Sequence, residues 1–281
     1  MTKAKTNHDI IKLIISLALL ATFVSPAPAL AQPSLPPVWD LITDDFEGGD
    51  LEAWNLEGAQ SASLLPDSGR GDSTALGIPL GQSTNYLRQS DVARAEEGYL
   101  TFWFNPNGAD IPDPFTYWPP ENSIRIASII GSETWWPPLV SLYVRHVTGE
   151  GYKGFITWPE GENNHYDYEN EFPIADDWQK ITIGYRIDAW AAVWIDDQLV
   201  RYNETTVAHQ GSYGDVINLG KMNENTETTP IGMMLFDDVA FQVPSVDDLW
   251  VDAENGSDYN DGLTPGTALA TIQRAANLAG P

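Results

Sequence analysis

The stretch GYLTFWFNPN, Gly98–Asn107, puts Leu100, Phe102 and Phe104 on one side of an extended chain and Thr101, Trp103 and Asn105 on the other, with Pro106 and Gly108 closing it. Apolar residues at every second position suit a strand with one buried face; a helix needs them three and four apart. Working outward, similar strand candidates are SIRIASII (123–130), LVSLYVRH (139–146), YKGFITW (152–158), WQKITIGYRI (178–187), AAVWID (191–196) and IGMMLFDDVAFQV (231–243). Gly, Pro, Asn and Asp turns separate them, and no amphipathic helix interrupts. Many short strands over about 200 residues predict an all-β fold, an antiparallel two-sheet sandwich from 38 to 245.

The first 31 residues stand apart from this pattern. Lys3, Lys5 and Lys12 precede an apolar run of 12 residues, Leu13–Val24, and SPAPALA follows with small residues at Ala29 and Ala31. That is the pattern of a signal peptide cleaved near Ala31, and it predicts a secreted or cell-surface protein. The run is shorter than the roughly 20 residues a membrane-spanning helix needs, so no membrane span is expected. Residues 32–37 form a Pro-rich lead. There is no cysteine anywhere, so neither disulfides nor a lipid-anchored cysteine is available.

Removing the leader takes away three basic residues and one acidic one, leaving 11 basic against 39 acidic and a formal charge of −28. Such a surface repels nucleic acid and anionic membranes, so no nucleic-acid partner is expected. Dense carboxylates keep an exported protein soluble and also supply the hard oxygen donors that Ca²⁺ prefers.

Near QVPSVDD (242–248) the pattern changes. Pro244 ends the last strand, an acidic link follows, LWVDA (249–253) reads as one short strand, and TALATIQRAANLA (267–279) as a helix with Leu269, Ile272, Ala276 and Ala279 on one face. One strand and one helix bury too little to fold alone, so within the linker and tail (246–281) the last 33 residues, Leu249–Pro281, are expected to need a partner. DAENGSDYNDG (252–262) is read as an Asx-rich turn. Ser257 or Leu263 falls where an EF-hand loop requires Gly.

Three stretches carry a resemblance to a known family. GYLTFWFNPN, WQKITIGYRIDAWAAVWIDDQLVRY (178–202, with Asp197-Gln198 where Asp-Gly is usual) and the pair DDFEGGDLEAWN (44–55) and LFDDVAFQ (235–242) resemble the concanavalin-like lectin and glucanase, or laminin-G-like, jelly-roll superfamily. The resemblance covers about 200 residues and implies a jelly roll more firmly than any activity. LWVDAENGSDYNDGLTPGTALATIQRAANLAGP (249–281) is similar to the N-terminal start of exported right-handed parallel β-helix proteins of the pectate-lyase-like class. That second resemblance implies that the chain is an N-terminal fragment, whose helix caps a β-helix partner lying beyond Pro281.

Concanavalin-like glycosidases carry alternating carboxylates on one strand. Asp167, Glu169 and Glu171 in WPEGENNHYDYENEFP alternate, and if extended would share one side. Their order is Asp-Glu-Glu instead of Glu-Asp-Glu, and Gly, Asn and Pro surround them, so a solvated acidic loop is the expected reading and a glycoside hydrolase the alternative. For calcium, DDFEGGD offers Asp44, Asp45, Glu47 and Asp50, and FDDV offers Asp237 and Asp238. Ca²⁺ takes about six to eight oxygens, and resembling sandwiches often hold a structural calcium near such edge strands; Glu47 and Asp238 lead on that ground. Trp118, Trp135, Trp136 and Trp158 sit beside or near Pro on loops, and with Tyr166 are the candidate rings for stacking on a polysaccharide or other glycan. Four scattered histidines give no zinc or triad spacing, and GRGDS (69–73) is read as a chance match to an adhesion tripeptide. The function expected is a non-catalytic glycan-binding or accessory module, with a purely structural surface module as a further alternative.

Overall fold

The computed structural model describes residues 35–36, 38–58, 61–81, 83–90, 92–111, 123–131, 138–160, 163–187, 189–204, 213–222, 229–244, 249–260, 262 and 265–279. Sixteen strands follow in chain order: β1 (Val38–Asp44), β2 (Asn55–Gly58), β3 (Ser63–Leu65), β4 (Ala75–Pro79), β5 (Asn85–Gln89), β6 (Glu97–Asn105), β7 (Ile124–Ile130), β8 (Val140–Val147), β9 (Gly151–Glu160), β10 (Asn163–Tyr166), β11 (Phe172–Ile174), β12 (Gln179–Arg186), β13 (Trp190–Ile195), β14 (Gln198–Glu204), β15 (Val216–Lys221) and β16 (Met233–Pro244). They form two antiparallel sheets. The first runs β14–β13–β12–β6–β16–β4–β3, with β1 also on β16; the second runs β10–β9–β8–β7–β15–β5–β2, with β11 also on β9. This is the β-sandwich the alternation predicts.

The opening stretch sits in the middle of the first sheet as β6. Leu100, Phe102 and Phe104 are fully buried, and Phe236 of β16 packs against Phe102 and Phe104 with ring centroids 5.9 and 5.2 Å apart. Ile181 and Ile183 of β12 join them, as do Val140, Leu142, Val144 and Ile156 from β8 and β9 of the second sheet. One core fills the space between the sheets. Because side chains alternate, this inner set fixes which residues every strand sends outward.

Two local features differ from the sequence reading. The β13–β14 turn is made by Asp196 and Asp197, at φ 49° and 63°, one residue earlier than the Asp197-Gln198 pair that the family pattern singles out. Aspartate tolerates this left-handed region, which a two-residue hairpin of the strands' own twist requires. In the tail, LWVDA contributes a single parallel bridge, Val251 with Leu269, and the helix α1 spans only Ile272–Ala279. Its start is set by Asp258, whose carboxylate accepts the Ala270 and Thr271 amides at 3.0 and 2.8 Å, while the Thr271 hydroxyl accepts the Arg274 amide at 3.1 Å. Thr271 is thus the N-cap, and the residues before it are spent on the turn. Asp252 accepts the Glu254 and Asn255 amides, the Asx turn expected there.

Candidate functional site: the outer face of the second sheet

On β8 the core takes Val140, Leu142 and Val144, so Ser141, Tyr143 and Arg145 point out of the sandwich. Register carries this face across the sheet. Arg88 lies opposite Asn218, Asn218 opposite Ser128, Ser128 opposite Ser141, Ser141 opposite Thr157, and Thr157 opposite Tyr166. One row of polar side chains therefore crosses six strands. Beside it lie Arg125 opposite Tyr143, Tyr143 opposite Phe155, and Arg145 opposite Lys153.

The floor of this face is polar and buried. Ser141 and Thr157 are 0 % exposed and Asn218 5 %, yet the Ser141 and Thr157 hydroxyls and the Asn218 carbonyl oxygen have no hydrogen-bond partner. The Asn218 amide nitrogen donates to Ser128 Oγ at 3.1 Å, which leaves the carbonyl aimed elsewhere. A buried polar atom without a partner costs about 1–3 kcal/mol, so three on one surface are a marked departure from ordinary packing. Around the floor, the Tyr143 ring stacks on Phe155 at 5.1 Å and meets the Tyr166 edge at 5.9 Å. Burial pushes the Tyr143 phenol above its ordinary range, only partly opposed by the Arg125 charge. It stays protonated at neutral pH, a hydrogen-bonding group rather than a proton-abstracting base. Arg145 forms a two-pronged pair with Glu171, Nε to Oε1 at 2.5 Å and Nη2 to Oε2 at 2.6 Å.

The residues singled out from sequence are distributed differently. Tyr166 does reach this face. Trp158 has the opposite parity: it is 8 % exposed, belongs to the core and stacks on His165 at 4.5 Å, so it is not a ring on an exposed loop. Trp118, Trp135 and Trp136 lie outside the described residues. The three alternating carboxylates do not share a side, because residues 168–170 turn as a 3₁₀ helix instead of staying extended. Asp167, 4 % exposed, pairs with Arg201 and accepts from Asn170; Glu169 is exposed; Glu171 is held by Arg145. Ser141, Thr157, Asn218 and Arg125 escaped the sequence reading. The alternation in LVSLYVRH carried the signal, since its polar residues fall opposite Val140, Leu142 and Val144.

The acidic candidates other than Asp50 come together at the junction where β4 and β1 pair in succession with β16. β4 reaches Phe236 and β1 begins at Val239, opposite Asp44, while the pairing with β6 skips between Asp237 and Ala240. This bulge holds Asp238 at φ 46°. Asp237 is 1 % exposed and accepts the Arg70 amide at 2.9 Å and the Ser73 hydroxyl at 2.7 Å, so the GRGDS loop is bound inward, and the Arg70 guanidinium covers the Trp103 ring. Glu47 accepts the Thr74 amide, Asp45 the Glu47 amide and Asp50 the Glu52 amide. Asp238, Asp45, Asp44 and Gly48 line an open cleft of 400 Å³. Burial, then Asp237, then Asp45 and Glu47, raise the Asp238 carboxyl above its ordinary value against Arg70. Asp50 takes no part in this. Among the described residues, no three acidic or histidine side chains are grouped closely enough to enclose an ion as they stand.

No protein family matches the chain, and no curated protein does. Among solved structures it is similar to the cellulose induced protein Cip1, with a TM-score of 0.51 and 13% identity over 71% of this chain and 96% of that one. It is also similar to an endo-β-1,4-glucuronan lyase of the fungus Trichoderma reesei (TM-score 0.48, 13% identity, 72% of this chain and 95% of that one). A third is a carbohydrate esterase from the Shiga toxin-encoding bacteriophage phi24B (TM-score 0.49, 15% identity, 74% and 100%). At 13% identity the likeness to Cip1 speaks to fold alone, and it agrees with the β-sandwich of two antiparallel sheets.

Proposed function

We propose that this chain is an exported, non-catalytic glycan-binding β-sandwich module whose ligand lies across the outer face of the second sheet. The observation that carries this reading is the set of unpartnered oxygens of Ser141, Thr157 and Asn218 on three strands of one surface, flanked by the Tyr143 and Tyr166 rings. Sugars offer hydroxyls to such oxygens and apolar C–H faces to aromatic rings. The glycosidase alternative loses support because its three carboxylates are directed apart. The test is retention of the purified protein on a panel of immobilised polysaccharides, beside a Thr157→Val variant. Weaker retention of the variant, by about five- to tenfold for one lost hydrogen bond, is expected; equal retention of both proteins rules out this face.

We also propose a structural Ca²⁺ at the β1–β16 junction. Glu47 and Asp238 would hold it, with Asp45 and Asp237 behind them, while Asp50, the remaining candidate, stands apart. The crowding of like charge on Asp238 favours this reading, because a cation would relieve it. The tail is proposed as the first turn of a parallel β-helix partner, a reading favoured by the parallel Val251–Leu269 bridge and the capped α1 that follows it.

A further inference from the structure

The outer face of the second sheet differs in charge from the rest of the chain. Three of the 14 basic residues lie in the leader. Of the eleven that remain, Arg88, Arg125, Arg145 and Lys153 all belong to this face by register. Among the described residues, the acidic groups against them are Glu171, already neutralised by Arg145, and Glu57 at the β2 edge opposite Tyr86. Lys153 is paired only at 3.3 Å with Glu150, which is largely exposed. Among the described residues Arg88 makes no ion pair. In a chain with a formal charge of −26, the described residues of this one face are therefore mostly basic. At physiological ionic strength charges more than about 8 Å away are largely screened, so a ligand on this face responds to these groups and little to the acidic surface elsewhere.

The geometry adds length. With about 4.8 Å between strands, the row from Arg88 to Tyr166 runs about 24 Å. That is several times the width of one sugar ring and suits a polymer segment. Arg88 on β5 and Arg125 on β7 lie two strands apart, so they would meet anionic groups repeated along a chain. Arginine is well suited to this, since its fork matches a carboxylate or sulfate.

We propose that the ligand is an acidic polysaccharide, bearing carboxylate or sulfate groups, whose anions meet Arg88 and Arg125 while its hydroxyls meet Ser141, Thr157 and Asn218. This rests on the glycan-binding reading and names its substrate class. Calorimetric titration of the full chain with polygalacturonate, with chondroitin sulfate and with neutral xylan tests it, at low and high salt and beside Arg88→Gln and Arg125→Gln. Arg88 is partly exposed, so its variant remains informative if Arg125→Gln fails to fold. Expected is binding of at least one acidic polymer that weakens tenfold or more on raising salt and again in Arg88→Gln, with xylan bound weakly and independently of salt. Preference between the two acidic polymers identifies carboxylate or sulfate as the group read. If xylan binds as tightly as both, with loss in Thr157→Val and none in Arg88→Gln, the charge assignment is overturned and the glycan-binding face stands. If no polymer binds, both fall.

Discussion

At Thr157 a hydroxyl is buried without a partner. Replacing it by the isosteric valine removes the unmet hydrogen-bonding group and keeps the volume. Thr157→Val is therefore expected to hold or gain about 1 kcal/mol in urea unfolding while losing glycan retention, a pairing that a purely structural threonine would not show. Asp238 presents the charged counterpart. Its folded carboxyl lies above the ordinary aspartate value of 3.8, so its favourable contribution is fully present below that value and is lost as pH rises through the raised one. At neutral pH in chelator the charge works against the fold. Asn tolerates the same left-handed backbone, so Asp238→Asn should be more stable than the parent at pH 7 and lose that advantage as pH falls through the acid range. Unfolding curves from pH 4 to 8 check this; a variant less stable by the same amount at every pH would contradict it.

Among elements, the 3₁₀ turn after β10 shows how one contact overrides a local pattern. Asp167 is tied to Arg201 and Asn203 of β14, so the edge of the second sheet is clasped to the edge of the first. The cost of this arrangement is the alternation of Asp167, Glu169 and Glu171. Asp167→Asn leaves Arg201 without its carboxylate. A loss of about 2 kcal/mol is expected, below the roughly 3–5 for a fully buried pair, because the Arg201 side chain keeps 26% of its exposure. Urea denaturation measures it, and a change under about 0.5 kcal/mol would class the pair with ordinary surface bridges.

For the whole molecule, calcium is the variable with the clearest global readout. A ligand that binds only the folded chain stabilises it by about 2.7 kcal/mol at a hundredfold excess over Kd. In a domain of this size that raises Tm by about 5–10 °C. Thermal melts in Ca²⁺ and in chelator should differ accordingly, and Asp238→Asn should abolish most of the difference. Identical melts would remove calcium from the β1–β16 junction.

Local chain chemistry was legible throughout: the period-two alternation of GYLTFWFNPN and LVSLYVRH, the Asx turn at Asp252 and the existence of a helix before Ala279 depend on neighbours a few residues away. Strand faces and the sandwich follow from such patterns, because burying an apolar face leaves few alternatives. The candidate site depends on register, which no local pattern encodes. Asn218, Ser141 and Thr157 become neighbours because the inner faces of β15, β7, β8 and β9 lock against a common core, and a slip of one residue would send each to the opposite side. Likewise Asp238 meets Asp45 only because β4 and β1 share β16 end to end. Long-range packing made those contacts, and only the folded chain could reveal them.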